Sequence, residues 1–226
     1  MMTIQNTYLT IPGLLTKEQI QQIDAFSSRA KFEDGKKTAS AAAREVKNNL
    51  QMDMQCPEYG MVQQVLLQAL NANMQFRNAV LLKTIYPFLI STYREGMTYG
   101  WHVDSPLMAN MMRTDIAMTI FLNNPEEYEG GELELQTASG TVLYKLAAGD
   151  AVCYPCTQLH QVREVVSGER KVAVTWIQSM VKSADQRKVL SDIQEVIDEL
   201  RRQDLVSEPA NVLQQTHSNL IRMWAE

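Results

Sequence analysis

Histidine is scarce in this chain, with three in 226 residues at positions 102, 160 and 217, so any site that uses imidazole has few ways to be built. Cysteine is as scarce: an odd set of three, spread along the chain, excludes a disulfide framework and fits a reducing compartment, so a cytoplasmic location is expected. No apolar run approaches the roughly 20 residues of a membrane span, and the start, MMTIQNTYLTIPGLL, lacks the basic stretch and apolar core of a secretory leader. Positive charge is not in excess either. A net charge of -5 gives no general attraction to a polyanion, so neither nucleic acid nor a membrane surface is expected as a partner. Nothing in the sequence excludes a homo-oligomer.

A hydrophobic fraction of 45% with 21% charged residues describes a compact globular protein, and the length suits one catalytic unit with helical additions. Thr16 and Gln19 form a capping box, with Leu15 and Ile20 as its hydrophobic staple, and open a helix through about Ser28. The polar stretch from Lys31 to Met54 has no clean period; from Met61 to Leu70 a helical period returns. From Ala79 to Gln178 the pattern changes to short runs rich in Val, Ile, Thr and Tyr, broken by Gly, Pro and Asn, and nine strands are predicted. After the cap at Ser183, two helices follow, the second opening at Glu208-Pro209 and reaching Trp224. The expected fold is mainly β: a double-stranded β-helix, or jelly-roll, flanked by terminal helices. Its parts would be an N-terminal helical segment (1–78), the jelly-roll (79–180) and the C-terminal helices (181–226).

His102-Val103-Asp104 places two ligand types at i and i+2, which project to one side of an extended chain. A third ligand must come from elsewhere. His160, in a strand pattern after the turn Tyr154-Pro155-Cys156-Thr157, suits the role better than His217, which shares a helical face with Leu213, Leu220 and Trp224. Two histidines and one carboxylate leave open positions on a metal, the arrangement suited to nonhaem iron(II) that holds co-substrate and oxygen together. Structural zinc favours a closed site. A histidine in a strand is more often a satisfied polar group than a ligand, so this triad needs a second observation.

Arg170 supplies it. Ten residues beyond His160, it begins the run Arg170-Lys171-Val172-Ala173-Val174-Thr175-Trp176, and an arginine turned into a barrel needs an anion there. Its fork of donors matches the distal carboxylate of 2-oxoglutarate; the bland alternative is a surface arginine at a hairpin end. Parity makes the choice testable. A two-residue loop at Ser167-Gly168 would turn Arg170 outward, whereas a three-residue loop, Ser167-Gly168-Glu169, would pair Val166 with Arg170 and His160 with Trp176, all inward. The three-residue hairpin, or a bulge of equal effect, is therefore predicted, with Trp176 packed near the metal.

The segments YREGMTYGWHVDSP, TIFLNNPEEYEGGELEL, KLAAGDAVCYPCTQLHQV and GERKVAVTWIQSM resemble the PKHD-type hydroxylases, bacterial relatives of the prolyl 4-hydroxylases. KNNLQM at Lys47 to Met52 and the closing NLIRMWAE resemble the same family. The resemblance implies iron at His102, Asp104 and His160, 2-oxoglutarate at Arg170, and ascorbate as the reductant that rescues oxidised iron. It also implies that Tyr93 hydrogen-bonds the co-substrate. Hydroxylation with succinate and CO2 as co-products is expected, on a prolyl or lysyl side chain or on a small metabolite, with a link to iron homeostasis. An iron halogenase would lack the carboxylate ligand, and Asp104 is present.

Other features are read more plainly. Tyr99 is either core packing or a wall of the substrate channel; Thr119 is in reach of a co-substrate role but needs none. Cys153 and Cys156, a lone CxxC followed by a strand pattern, are read as packing residues, and Gly130-Gly131 as a tight bend. Two rivals remain: a noncatalytic jelly-roll that binds a ligand, and a cupin-like dioxygenase that dispenses with 2-oxoglutarate.

Overall fold

A computed structural model describes residues 8–39, 41–109 and 111–226. Its strands are β1 (Leu9–Ile11), β2 (Phe32–Asp34), β3 (Lys47–Asn48), β4 (Leu50–Met52), β5 (Leu82–Ile85), β6 (Leu89–Arg94), β7 (Thr98–His102), β8 (Leu107–Met108) and β9 (Met112–Arg113). They continue as β10 (Ile116–Phe121), β11 (Tyr128–Gly130), β12 (Leu133–Thr137), β13 (Gly140–Tyr144), β14 (Ala151–Pro155), β15 (His160–Val162) and β16 (Val165–Ser179). The α-helices are α1 (Lys17–Ser27), α2 (Ala41–Glu45), α3 (Pro57–Ala72), α4 (Met74–Val80), α5 (Ala184–Gln203) and α6 (Glu208–Trp224).

A major sheet runs β1-β14-β10-β16-β6-β4-β2, with β5 and β11 also paired to β16, and faces a minor sheet ordered β13-β12-β15-β7-β3. This is the expected jelly-roll with flanking helices. The central strands of the major sheet are buried on both faces, which is why they read as near-continuous apolar runs. Strand alternation divides them. Ile116, Met118, Ile120, Ala151, Cys153, Ala173 and Ile177 turn to a core shared with α1, α3 and α4, while Ala117, Phe121, Val152, Tyr154 and Val172 turn to the minor sheet. The second face holds the cavity.

Thr16 and Gln19 close the capping box that opens α1, and Ser183 and Ser207 cap α5 and α6. The last helix pair folds back on the barrel: Leu220, Ile221 and Trp224 pack on Leu81, Val181 and Leu190. Cys153 and Cys156 are free and buried, as packing residues should be, and their side chains enter opposite cores. Gly130 and Gly131 both adopt positive φ, +72° and +66°, as a tight bend requires.

Two sequence expectations need correction. Residues 1–78 are not only helical: β1, β2 and β4 extend the major sheet and β3 edges the minor one. These strands are two or three residues long, too short to show a period of two. The hairpin at Ser167-Gly168 does not form either. β16 runs unbroken from Val165 to Ser179, and β15 pairs with β12 and β7 instead. His160 therefore lies opposite His102, not Trp176, and Trp176 lies opposite Ala117. Gly168, at φ +77°, continues the strand against Tyr128. Arg170 and Trp176 still face inward, because residues six apart on one strand share a side whatever precedes them.

Candidate metal and co-substrate site

The minor sheet brings the three sequence-predicted ligands together. His102 ends β7, His160 begins β15, and the antiparallel register sets them directly across from each other, with ring centroids 4.2 Å apart. Asp104, two residues past His102, sends Oδ1 to within 3.9 Å of His160 Nε2. One ligand atom from each of the three lies within 4.8 Å of the others.

Both imidazoles are held in the tautomer a metal needs. His102 Nδ1 donates to the Gly100 carbonyl at 2.8 Å and His160 Nδ1 to the Gln158 carbonyl at 2.9 Å, which leaves each Nε2 with a free lone pair. Burial, then His160 and Lys47, push His102 down to about 3, so it stays neutral. Burial pushes Asp104 up, and its Oδ2 has no hydrogen-bond partner. Two imidazole nitrogens and a buried carboxylate with an unpartnered oxygen fit a divalent cation, which would supply the missing partner. Tyr99 lies flat on His102, 3.6 Å between centroids and 15° between planes, and Tyr154 meets His160 edge-on at 5.1 Å. Tyr99 thus supports the His102 ring as well as lining the cavity.

Arg170 enters the same cavity from the major sheet. It is 1% exposed, and its Nε and Nη1 have no partner. Tyr93 is its register partner on β6, and the guanidinium sits 5.1 Å from the Tyr93 ring and 5.7 Å from Phe121. Those π faces hold the cation in place, but they do not satisfy its N–H groups. An anion fits there. Gly131 leaves room for the side chain: a Cβ would stand 3.0 Å from Arg170 Cδ. Thr119 and Trp176 also line the cavity, and the indole Nε1 is unpartnered. His217 is packed in α6 and takes no part in the cluster.

Sequence reasoning missed one wall. Lys47, Asn49 and Gln51, spaced two apart where the chain crosses from β3 to β4, are all buried and all line the cavity. KNNLQM carried no period to mark them; the burial of its alternate residues follows from pairing with β7 and β6.

A jelly-roll bearing two histidines, a carboxylate and a facing buried arginine defines the iron(II)- and 2-oxoglutarate-dependent oxygenases as a class. The profile described as the 2OG-Fe(II) oxygenase superfamily matches residues 88–178. Curated relatives named PKHD-type hydroxylase match nearly end to end. One from Synechococcus sp. (strain JA-2-3B'a(2-13)) is 38% identical, covering 96% of this chain and 99% of the relative; one from Picosynechococcus sp. is 39% identical, covering 97% and 100%. Among solved structures, a Pseudomonas putida prolyl-4-hydroxylase shares the fold, with a TM-score of 0.55 and 17% identity over 76% of this chain and 92% of that one. The chain belongs to the PKHD-type hydroxylases. It is an iron(II)- and 2-oxoglutarate-dependent dioxygenase, and the noncatalytic and 2-oxoglutarate-free rivals fall away.

Proposed function

We propose that His102, Asp104 and His160 hold the iron, that Arg170 anchors the distal carboxylate of 2-oxoglutarate with Tyr93 beside it, and that the product is a hydroxylated prolyl or lysyl side chain. The observation that carries the reading is the pair of unmet needs in one cavity: a buried carboxylate lacking a cation and a buried guanidinium lacking an anion. Iron(II) held by His102, Asp104 and His160 would supply the chemistry that links oxidative decarboxylation of 2-oxoglutarate, giving succinate and CO2, to hydroxylation of a C–H bond by the other oxygen atom of O2. The protein's own groups do the rest. The Gly100 and Gln158 carbonyls fix the two imidazoles, the Tyr99 ring prevents His102 from turning, and Arg170 sets the co-substrate's orientation from the opposite sheet. Phe121, Tyr154 and Trp176 exclude bulk water.

The prolyl or lysyl choice is supported by kinship with chains named prolyl hydroxylases, and fold-level kinship does not fix a substrate. The three free thiols and the ferrous requirement favour a reducing, cytoplasmic setting, with ascorbate as reductant; no described helix is long and apolar enough to cross a membrane. Proline- and lysine-containing peptides, with small metabolites alongside, should be screened for substrate-dependent succinate formation. Stimulation by such a peptide supports the reading; stimulation only by non-peptide metabolites would remove the side-chain assignment.

A further inference from the structure

The cavity holds a second buried cation that neither the metal site nor the co-substrate anchor uses. Lys47 is 5% exposed and lies in β3, opposite Tyr99 of β7, with its ammonium 5.1 Å from the Tyr99 ring centroid. Of its three N–H donors, one reaches Thr38 Oγ1 at 3.0 Å. Thr38 is itself committed to Gln51 Oε1 at 2.6 Å, and Gln51 Nε2 to Ser91 Oγ at 3.2 Å, so that neutral chain cannot compensate a charge. Asp34 and Asp104 act on the ammonium only through space; among the described residues no carboxylate forms an ion pair with it. A buried ammonium without an ion-pair partner is costly: burial, only partly offset by the fields of Asp34 and Asp104, pushes Lys47 down to about 8.

Asn49 is the independent observation. Two residues on, 3% exposed and lining the same cavity, it has neither Oδ1 nor Nδ2 hydrogen-bonded. It is pressed there by Gly35, whose backbone N–H donates to the Asn49 carbonyl at 2.9 Å; a Cβ on Gly35 would stand 1.9 Å from Asn49 Oδ1. One cavity thus holds an amide without a hydrogen bond and, two residues back along the chain, an ammonium without an ion-pair partner.

Charge balance narrows the ligand, given the metal and co-substrate sites proposed above. A divalent cation cancels the two carboxylates of 2-oxoglutarate, and Asp104, which acts on the Lys47 ammonium through space, cancels one of the two buried cations, so one positive charge stays uncancelled in the cavity. The same cavity is also lined by Ala39, Ala43, Val103 and Met108, with Ser105 among them. We infer that Lys47 and Asn49 form a substrate subsite that takes the carboxylate of an acidic substrate whose small apolar body lies against Ala39, Ala43, Val103 and Met108. The ammonium supplies the charge and the Asn49 amide a directional donor. Lys47 is then a specificity-determining residue, distinct from the anchor at Arg170.

The test uses matched acid and amide probes on the full chain loaded anaerobically with manganese(II) and 2-oxoglutarate: N-acetylproline, N-acetylleucine and cyclohexanecarboxylate against their carboxamides, by ligand-observed NMR. The expected result is at least tenfold tighter retention of the acids, loss of that preference in Lys47→Met and Lys47→Gln, retention in Lys47→Arg, and weakening in Asn49→Ala. Thermal melting checks that each variant is folded, and Gln, which keeps hydrogen bonding without charge, stands in should Met fail. No acid preference in the unaltered protein, or a preference that survives Lys47→Gln, would overturn the inference. So would a more than twofold loss of 2-oxoglutarate affinity in Lys47→Gln, which would assign Lys47 to the co-substrate. Failure of the anchor reading would show separately, as unchanged 2-oxoglutarate affinity in Arg170→Met.

Discussion

The two faces of the major sheet are made by the same strands and differ in one respect: whether their polar atoms are satisfied. The face toward α1, α3 and α4 presents Ile116, Met118, Ile120, Ala151, Cys153, Ala173 and Ile177, and its buried hydroxyl, Thr175, donates to the Tyr86 carbonyl. The face toward the minor sheet carries Thr119, Tyr154, Arg170 and Trp176 among its apolar residues, and leaves Arg170 Nε and Nη1 and Trp176 Nε1 without partners. Since buried polar groups are rarely left unpaired, one face is built for stability and the other for ligands it must receive. Mutations on the two faces should therefore separate stability from binding.

The sharpest break lies at the ligands across the cavity. His102→Ala, Asp104→Ala and His160→Ala are each expected to abolish iron-dependent turnover and metal binding, while His217→Ala, outside the cluster, keeps both. Anaerobic metal titration decides; iron binding lost in His217→Ala and kept in His160→Ala would refute the assignment. On the helix-facing side, Ile120→Ala empties a fully buried position and should cost about 2 to 5 kcal/mol of stability. Denaturant unfolding measures that loss, and 2-oxoglutarate affinity should be unchanged in the folded fraction.

The opposite signature is expected of Arg170→Lys, which replaces a two-pronged donor by a point charge. It should weaken 2-oxoglutarate binding by roughly 1.5 to 3 kcal/mol with iron binding intact. Calorimetry that finds equal affinity would take Arg170 out of the site. The smallest effect belongs to the minor sheet's ion pair, where Arg163 Nε meets Glu134 Oε2 at 2.7 Å and its hydrogen bonds hold Glu134 down to about 2. A depressed carboxylate stabilises the fold above its ordinary value near 4.5, and that contribution disappears as the pH falls toward 2. Arg163 is half-exposed, so solvent screening limits the effect: Glu134→Gln should cost about 0.5 to 1 kcal/mol at pH 7. Melts of the two proteins should converge as the pH falls to about 2; a constant gap would mean that the charge is not the cause.

That His102, Asp104 and His160 would converge was legible because histidine is so rare here that they had little competition. The central strands were legible from their short runs rich in Val, Ile, Thr and Tyr between Gly, Pro and Asn, and α1, α5 and α6 from their caps. Strand partners were not. Local spacing suggested that β15 and β16 form a hairpin, but β16 is a fifteen-residue strand shared by both β6 and β10, and its course depends on those partners. Lys47 and Asn49 escaped notice for the same reason: a segment of two or three residues acquires strand character only from the neighbour it pairs with.

By itself the sequence determined which side chains could do chemistry and, through strand parity, that Arg170 and Trp176 must share a side. Only the tertiary structure decided that His160 lies across from His102, that Arg170 approaches from the opposite sheet, and that Lys47 and Asn49 close the same cavity. Parity is a local property of an extended backbone, whereas strand pairing and the facing of two sheets depend on contacts between residues far apart in the chain.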